Sequence, residues 1–487
     1  MNGADTMKKS KVMKKGYWNL WNDDVQAQID ENIEKYRKAD GSFKIKGLKA
    51  GTPVKVEQIK HDFIFGAHIF NYDQLGTDER NEKYKALYGD IFNSATVAFY
   101  WRRFELEEGK PRFAPEYRDT AEYWNTVKDP KNEPHWRRPA TDPVIDFCEK
   151  KGIRIHGHPL VWGNYKWQQP DWLVNKYPKH FRDRLPAEAP FADRNPMADI
   201  LAEFSAEQIN KLMPELAVEL QLLMTKRISE IAFRYGDRVH SWDVCNESAT
   251  DFQMGLMIPD APICKSHYGP MPGDYTYRAF KISDAVLPKK AKLNINDYNL
   301  SQAYVDQIAD LDKRGCKIDI VGAQMHLFNP QTCLDIADGK SDVQSPENVM
   351  TTMARLSQAG RPIHLSEITI TAPNNDARGQ EIQEIITRNL YRLWFSTEKM
   401  MGITWWNVVD DCGAPGEPSV SGLFSRDMDP KPAYHALEDL IKNQWMTKCS
   451  LKAAAGGTVK FRGFRGTYRL SWTAENGSQQ EQIVHLA

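Results

Sequence analysis

Short runs of apolar, β-branched and aromatic residues recur along the chain: FIFGAHIF (63–70), ATVAFYW (95–101), IRIHGHPLVW (153–162), VHSWDVCNE (239–247), AKLNINDYN (291–299), IDIVGAQMH (318–326), PIHLSEIT (362–369) and GITWWNVVD (402–410). Each is continuously apolar rather than alternating, the pattern of a strand buried on both faces. Helix-like stretches separate most of them, such as ELAVELQLLMTKRISEIAFRYG before the fourth. Eight strands alternating with helices predict a closed parallel sheet. The expected fold is α/β, a (β/α)8 TIM barrel over about residues 60–443, enlarged by long loops.

The flanks read differently. Residues 1–16 have the character of a disordered tail, and 17–59 of a helix followed by strands. In NDDVQAQIDENIEKYRKADG the residues Val25, Ile29, Ile33 and Tyr36 form one stripe, Asn22 or Asp23 is placed to cap the helix, and Gly41 is expected to stop it. SFKIKG and TPVKVEQI then read as strands. Residues 446–487 hold Gly turns and short alternating strands with no helical pattern. That length builds its own core with difficulty. A small C-terminal β-subdomain is expected, with the strands at 43–58 as candidates to complete it.

Composition narrows the function. Among 487 residues, 64 Lys+Arg balance 65 Asp+Glu, so no global charge recruits nucleic acid. The seven cysteines stand singly with no C-x-x-C pair, which argues against a zinc ribbon or a disulfide framework. No run approaches the ~18 apolar residues of a membrane span. MNGADTMKKSKVMKK is basic but lacks the apolar core of a signal peptide. The expectation is a monomer without cofactor or metal, secreted or periplasmic or at the cell surface once a leader has been removed.

The polar residues of the apolar runs sit at their C-terminal ends: His158, Asn246–Glu247, Asn296–Asp297, Gln324, His326, Glu367 and Asp410. In a barrel those ends converge on the face that carries active sites. Asn246 and Glu247 are adjacent, and successive strand residues point to opposite faces, so both reach one pocket only if the chain turns or bulges there. Two glutamates on the fourth and seventh strands suit glycoside hydrolysis, one protonating the leaving oxygen and the other attacking the anomeric carbon. Trp162, Tyr165, Trp167, Trp172, Trp405 and Trp406 are candidates to stack on pyranose faces.

At this point the chain resembles glycoside hydrolase family 10, the xylanases with catalytic glutamates on strands four and seven. GHPLVW resembles the family's G-H-x-L-x-W, WDVCNE its W-D-V-x-N-E, and NDYN and VGAQMH its N-D-Y-N and G-x-Q-x-H. LSEI stands where T-E-L holds the nucleophile, and GLFSRDMDPKPAYHAL closes the barrel much as L-L-F-D-x-x-x-x-P-K-P-A-Y does. The resemblance implies Glu247 as acid/base and Glu367 as nucleophile in a retaining double displacement, with carboxyl groups roughly 5–5.5 Å apart. It implies Asn246 on the 2-hydroxyl of the sugar, His326 bonded to Glu367, Gln324 orienting the pair, and His158, Trp162 and Trp406 lining the same sugar site. The implied partner is a polysaccharide or oligosaccharide, with cleavage of β-1,4-xylosidic bonds in xylan or a decorated xylan.

Departures bear on the substrate. The family's T-x-E-N-x-M-K-W on strand two is ATVAFYWRRFELEEG here, with Tyr100 about where Lys would stand. Gly163 replaces the His after the strand-three Trp, Thr369 the Asp after T-E-L, and the loop DCGAPGEPSVSG (411–422) has no Trp. Tyr100 is therefore expected to stack where Lys would have pointed, and Arg102–Arg103 is either a solvated surface or a contact for acidic sugar decorations. Three other readings stay open: a different β-linked polymer, a non-catalytic carbohydrate-binding barrel, and a metal-dependent hydrolase built on His156, His158, His326 and Asp410.

Overall fold

The computed structural model describes residues 10–164, 167–185, 196–267 and 269–487. Eight parallel strands close on themselves: β1 (Ile64–His68), β2 (Ser94–Ala98), β3 (Arg154–His158), β4 (Ser241–Asn246), β5 (Lys292–Asp297), β6 (Ile320–Leu327), β7 (Ile363–Ile370) and β8 (Met400–Trp405), with β8 paired to β1 and β4 to β5. Their apolar residues are buried on both faces, Ile155, Val244, Ile295, Val321, Leu365 and Ile403 among them. Helices such as Pro214–Tyr235, Gln302–Lys313 and Ala377–Phe395 cover the outside.

The third apolar run is not one strand. Pro159 has no N–H to give the ladder, so β3 stops at His158 and a two-residue strand, Val161–Trp162, resumes beside Cys245 and Asn246 of β4. Register shifts also matter. The pairing of β4 with β5 slips between Asn294 and Ile295, and β7 carries one extra residue against both β6 and β8. The long loop after β3 has a core of its own, in which Leu173, Tyr177 and Phe181 pack on Leu216 and Leu220 of the helix Pro214–Tyr235.

The N-terminal helix runs Asp23–Arg37 and is capped by Asn22, whose Oδ1 accepts from the Val25 N–H at 3.0 Å. Gly41 does not stop it. The chain becomes extended at Lys38 because Lys38–Lys44 pairs antiparallel with Thr458–Phe464, a non-local partner invisible to helix periodicity. Arg37 fastens the helix end to the barrel, donating to the Met400 carbonyl at 2.6 Å. The strand Pro53–His61 lies between Lys448–Lys452 and Gly466–Thr473 in a four-stranded sheet that ends on Gln479–Leu486. Val54, Val56, Tyr468 and Leu470 fill its core.

The tail expected over 1–16 differs in its described part. Residues 1–9 lie outside the described residues. Beyond them Met13 is buried and the Lys14 N–H donates to the Ala337 carbonyl at 2.8 Å. An apolar anchor among the lysines is what holds this segment to the barrel. Among the described residues no helix is long and apolar enough to cross a membrane.

Candidate active site

The C-terminal ends of the strands open into a cleft of about 1020 Å³ lined by Glu247, Glu367, Asn246, Gln324, His158 and His326, with Tyr100, Trp162 and Trp406 among its aromatic walls. Glu247 reaches it by a local departure from strand geometry. Its φ is 55°, a left-handed value that few residues with a Cβ adopt. The turn is pinned by its N–H, which donates to the Asn296 carbonyl at 2.8 Å. Strand alternation is broken at this one residue, so Asn246 and Glu247 both face the cleft.

The two carboxylates share a donor. Gln324 Nε2 lies 3.2 Å from Glu247 Oε1 and 3.1 Å from Glu367 Oε1. Those oxygens can be no farther apart than the sum of the two contacts. Trp162 Nε1 donates to the other oxygen of Glu247 at 3.1 Å, an approach made possible by the strand break at Pro159. Glu247 is half-buried and Glu367 buried.

Glu367 is held from several strands. Asn296 Nδ2 donates to its Oε1 at 2.7 Å and to Asn246 Oδ1 at 3.0 Å. The Ser366 hydroxyl donates to Asn296 Oδ1 at 2.6 Å, which fixes the direction of that amide. His326 Nε2 is 3.3 Å from Glu367 Oε2, and its Nδ1 is 2.9 Å from the Thr369 hydroxyl. His158 Nε2 stands 3.7 Å from Glu367 Oε1 while its Nδ1 binds Asp243 at 2.7 Å. Asp243 also binds His156 at 2.9 Å. Burial alone would push Asp243 up, but the two imidazoles outweigh it and hold its carboxyl below the usual carboxylate range.

His156 and His158 thus each spend a nitrogen on one buried carboxylate, and Asp410 is paired with Lys431 at 3.0 Å away from them. Among the described residues no group of three or more His, Cys, Asp or Glu is placed to hold a metal ion.

The aromatic residues divide. Trp162, Trp167 and Trp406 line the cleft, with Trp406 edge-on to His158 at 5.4 Å between ring centroids. Trp172 does not; it donates to the Glu105 carbonyl and packs on Trp101. Trp405 is a core residue whose indole donates to the Asn407 carbonyl. Tyr165 lies outside the described residues.

Tyr100 is at the cleft, but its ring is covered: the Arg138 guanidinium lies 3.6 Å over it. Arg102 and Arg103 are not cleft residues. Arg102 is buried and bonded to Asp171 at 2.6 Å, and Arg103 faces the same carboxylate at 3.8 Å. The short helix Trp101–Phe104 turns both toward the loop after β3. Among the described residues the arginines lining the cleft are Arg137 and Arg138, which carry no strand-end signature in the sequence. Asn296 was legible as a polar strand end but not as a tie between the two acidic strands. Glu417 was not legible at all; its carboxylate meets Arg137, Asn407 and the Ala414 N–H at 3.1, 3.0 and 2.7 Å.

Residues 120–440 match the model of glycosyl hydrolase family 10. The chain is 25% identical over 313 residues to endo-1,4-beta-xylanase A of Thermoanaerobacterium saccharolyticum, covering 62% of this chain and 22% of that protein. It is 26% identical over 313 residues to exoglucanase XynX of Acetivibrio thermocellus, covering 62% of this chain and 24% of that protein. The chain thus spans about a quarter of the length of these relatives. With endo-1,4-beta-xylanase B of Thermotoga neapolitana, 22% identity over 333 residues covers 66% of this chain and 78% of the other. Xylanase 10B from Thermotoga maritima superposes with a TM-score of 0.53 at 18% identity, over 79% of this chain and 96% of that one, a likeness of fold.

Proposed function

From the premise that the chain belongs to glycosyl hydrolase family 10, we propose that it is a retaining glycoside hydrolase cleaving β-1,4-xylosidic bonds in xylan or a decorated xylan. One observation carries the reading: a single amide, Gln324, bonds both Glu247 and Glu367. Two carboxyl groups that close suit attack by one of them rather than by an interposed water.

The environments divide the labour. Glu367 accepts from Asn296 and Gln324 and faces His326 and His158, contacts that hold its carboxylate in place for attack as nucleophile. Glu247 is half-buried at the mouth with the Trp162 indole on one oxygen, a position from which a proton reaches the leaving oxygen. Water entering after departure of the leaving group is then deprotonated by Glu247 and breaks the glycosyl-enzyme ester. Asn246 spends its Oδ1 on Asn296 and Gln324, and its Nδ2 has no partner among the described residues, which suits it to a sugar hydroxyl.

A second reading, another β-linked polymer, is favoured by the strand-two side of the cleft, where Tyr100 and Arg138 stand. Product analysis on purified polysaccharides separates the two readings. The mechanism has its own test. Glu367→Ala is expected to abolish turnover of every substrate. Glu247→Ala is expected to spare activated aryl glycosides and to be rescued by azide entering the vacated space. Equal loss in both variants on an activated aryl glycoside sinks the assignment.

A further inference from the structure

We infer that Arg138 is the receptor for an anionic group carried by the substrate, a uronate carboxylate or a sulfate ester, at the strand-two side of the cleft. The inference rests on the reading that the cleft binds a sugar chain, and it deepens that reading by naming the substrate's charge. Arg138 lines the cleft and is 7% exposed, yet no carboxylate of the described residues stands within ion-pairing distance of it. Among the described residues its guanidinium makes one hydrogen bond, from Nη1 to the Arg137 carbonyl at 2.7 Å. A buried guanidinium with no carboxylate in contact is costly, and the Tyr100 ring beneath it and the more distant Glu417 offset only part of that cost.

Arg137 next to it is the contrast. Its charge is met by Glu417 at 3.1 Å, and its Nη2 reaches Asn407 Oδ1 at 3.2 Å. Glu417 is thereby occupied with Arg137 and with the Ala414 N–H rather than with Arg138. The acid that would most easily neutralise Arg138 is thus tied up one residue away.

The pair is also held in a built scaffold. Arg137 has φ 60°, an unfavourable left-handed value for a side chain of this size. Gln74 fixes the turn, accepting from the Arg137 N–H at 2.7 Å and donating to the His135 carbonyl at 2.9 Å. Beneath it Arg112, itself buried and paired with Asp119, reaches His135 and the Arg138 carbonyl. Backbone strain held by buried polar contacts marks a segment whose side chains are being aimed. A planar guanidinium is suited to a carboxylate or sulfate through paired N–H donors, and Trp167 and Trp406 add flat surface for the sugar that carries it.

The test compares xylo-oligosaccharides that are neutral, that bear one glucuronate, or that bear one sulfate ester. The native chain is expected to show at least about tenfold higher kcat/KM on an anionic oligosaccharide than on the neutral one. In Arg138→Met that ratio should fall toward one, and in Arg138→Lys it should be intermediate. Whichever anionic substrate is preferred identifies the group, and a native ratio of one or below overturns the inference. Binding is read separately by calorimetry on the Glu367→Gln chain with the same three ligands. If nothing is turned over, the hydrolase reading falls while the binding series still decides. Tighter binding of an anionic ligand, lost when Arg138→Met is added, supports the site; equal binding of all three overturns it. The native-chain and Glu367→Gln comparisons decide even where Arg138→Met fails to fold.

Discussion

Glu247 and His326 show what individual residues contribute at the mouth of the barrel. Glu247 sits at φ 55°, a conformation costing about 1–2 kcal/mol for a residue with a Cβ, and in exchange its carboxylate reaches Gln324. His326 stands between the Thr369 hydroxyl and Glu367. A hydroxyl can donate to Nδ1, which leaves the Nε2 proton for Glu367; it supplies no negative charge. Thr369→Val keeps the shape and removes that partner, leaving Nδ1 of the half-buried ring unpaired. Losing one such bond costs about 1–2 kcal/mol, so kcat on an activated aryl β-xyloside is expected to fall roughly 5–30-fold with little change in KM. A KM rise at constant kcat would place the hydroxyl in substrate binding instead.

At the scale of elements, the site depends on where the strands stop being regular. The break after β3 carries the Trp162 indole to Glu247, and the extra residue in β7 brings Glu367 opposite Gln324. Gly322 on β6 lets β5 approach closely: a Cβ there would stand 2.7 Å from Asn296 Oδ1 and 2.8 Å from the Ile295 carbonyl. Gly322→Ala must therefore push β5 away and take Asn296 with it. Overpacking of this kind costs about 1–3 kcal/mol. Because Asn296 Nδ2 holds both Glu367 and Asn246, kcat should drop together with the melting temperature. A stability loss with kcat unchanged would show that Asn296 is not part of what positions Glu367.

The whole molecule carries a pH dependence set by buried imidazoles. Burial, with a smaller contribution from His156, holds His364 at about 3, against an ordinary 6.5. Burial, helped by the neighbouring Arg137, holds His68 well below the same value. An unfolded chain protonates both near 6.5 while the folded one does not, so their stabilisation is complete above that pH and is lost as pH falls toward 3. Asp297 works in the opposite sense: burial raises it to about 6, so its contribution is largest in acid and fades as pH rises through 6. At about 1.4 kcal/mol per pH unit for each proton, the histidines prevail. His61, held at about 3 by burial, acts in the same sense, so unfolding free energy from denaturant titration should be about 4 kcal/mol lower at pH 5 than at pH 7. A flat profile over that range would mean that most of these rings bind their protons in the folded state.

What the sequence determined by itself was the barrel and the place of two glutamates at its mouth. Continuous apolar runs can be buried on both faces only in a covered parallel sheet, and polar residues at their ends have one common destination. Local order thus carried Glu247, Glu367, Asn246, Gln324, His158, His326, Trp162 and Trp406 to one cleft. Gly41 and Arg102–Arg103 read otherwise in the structure because their neighbours are distant in sequence: Gly41 is claimed by the strand Thr458–Phe464, and the two arginines by Asp171. Trp405 and Trp172 resemble the cleft rings in composition, and only packing separates them. Arg138, on a loop with no periodicity, meets Tyr100 solely through the folding of that loop over β2. Only the tertiary structure decided that, among the described residues, Arg138 stands at the cleft without a carboxylate in contact, because no local pattern records which charge is left without a partner.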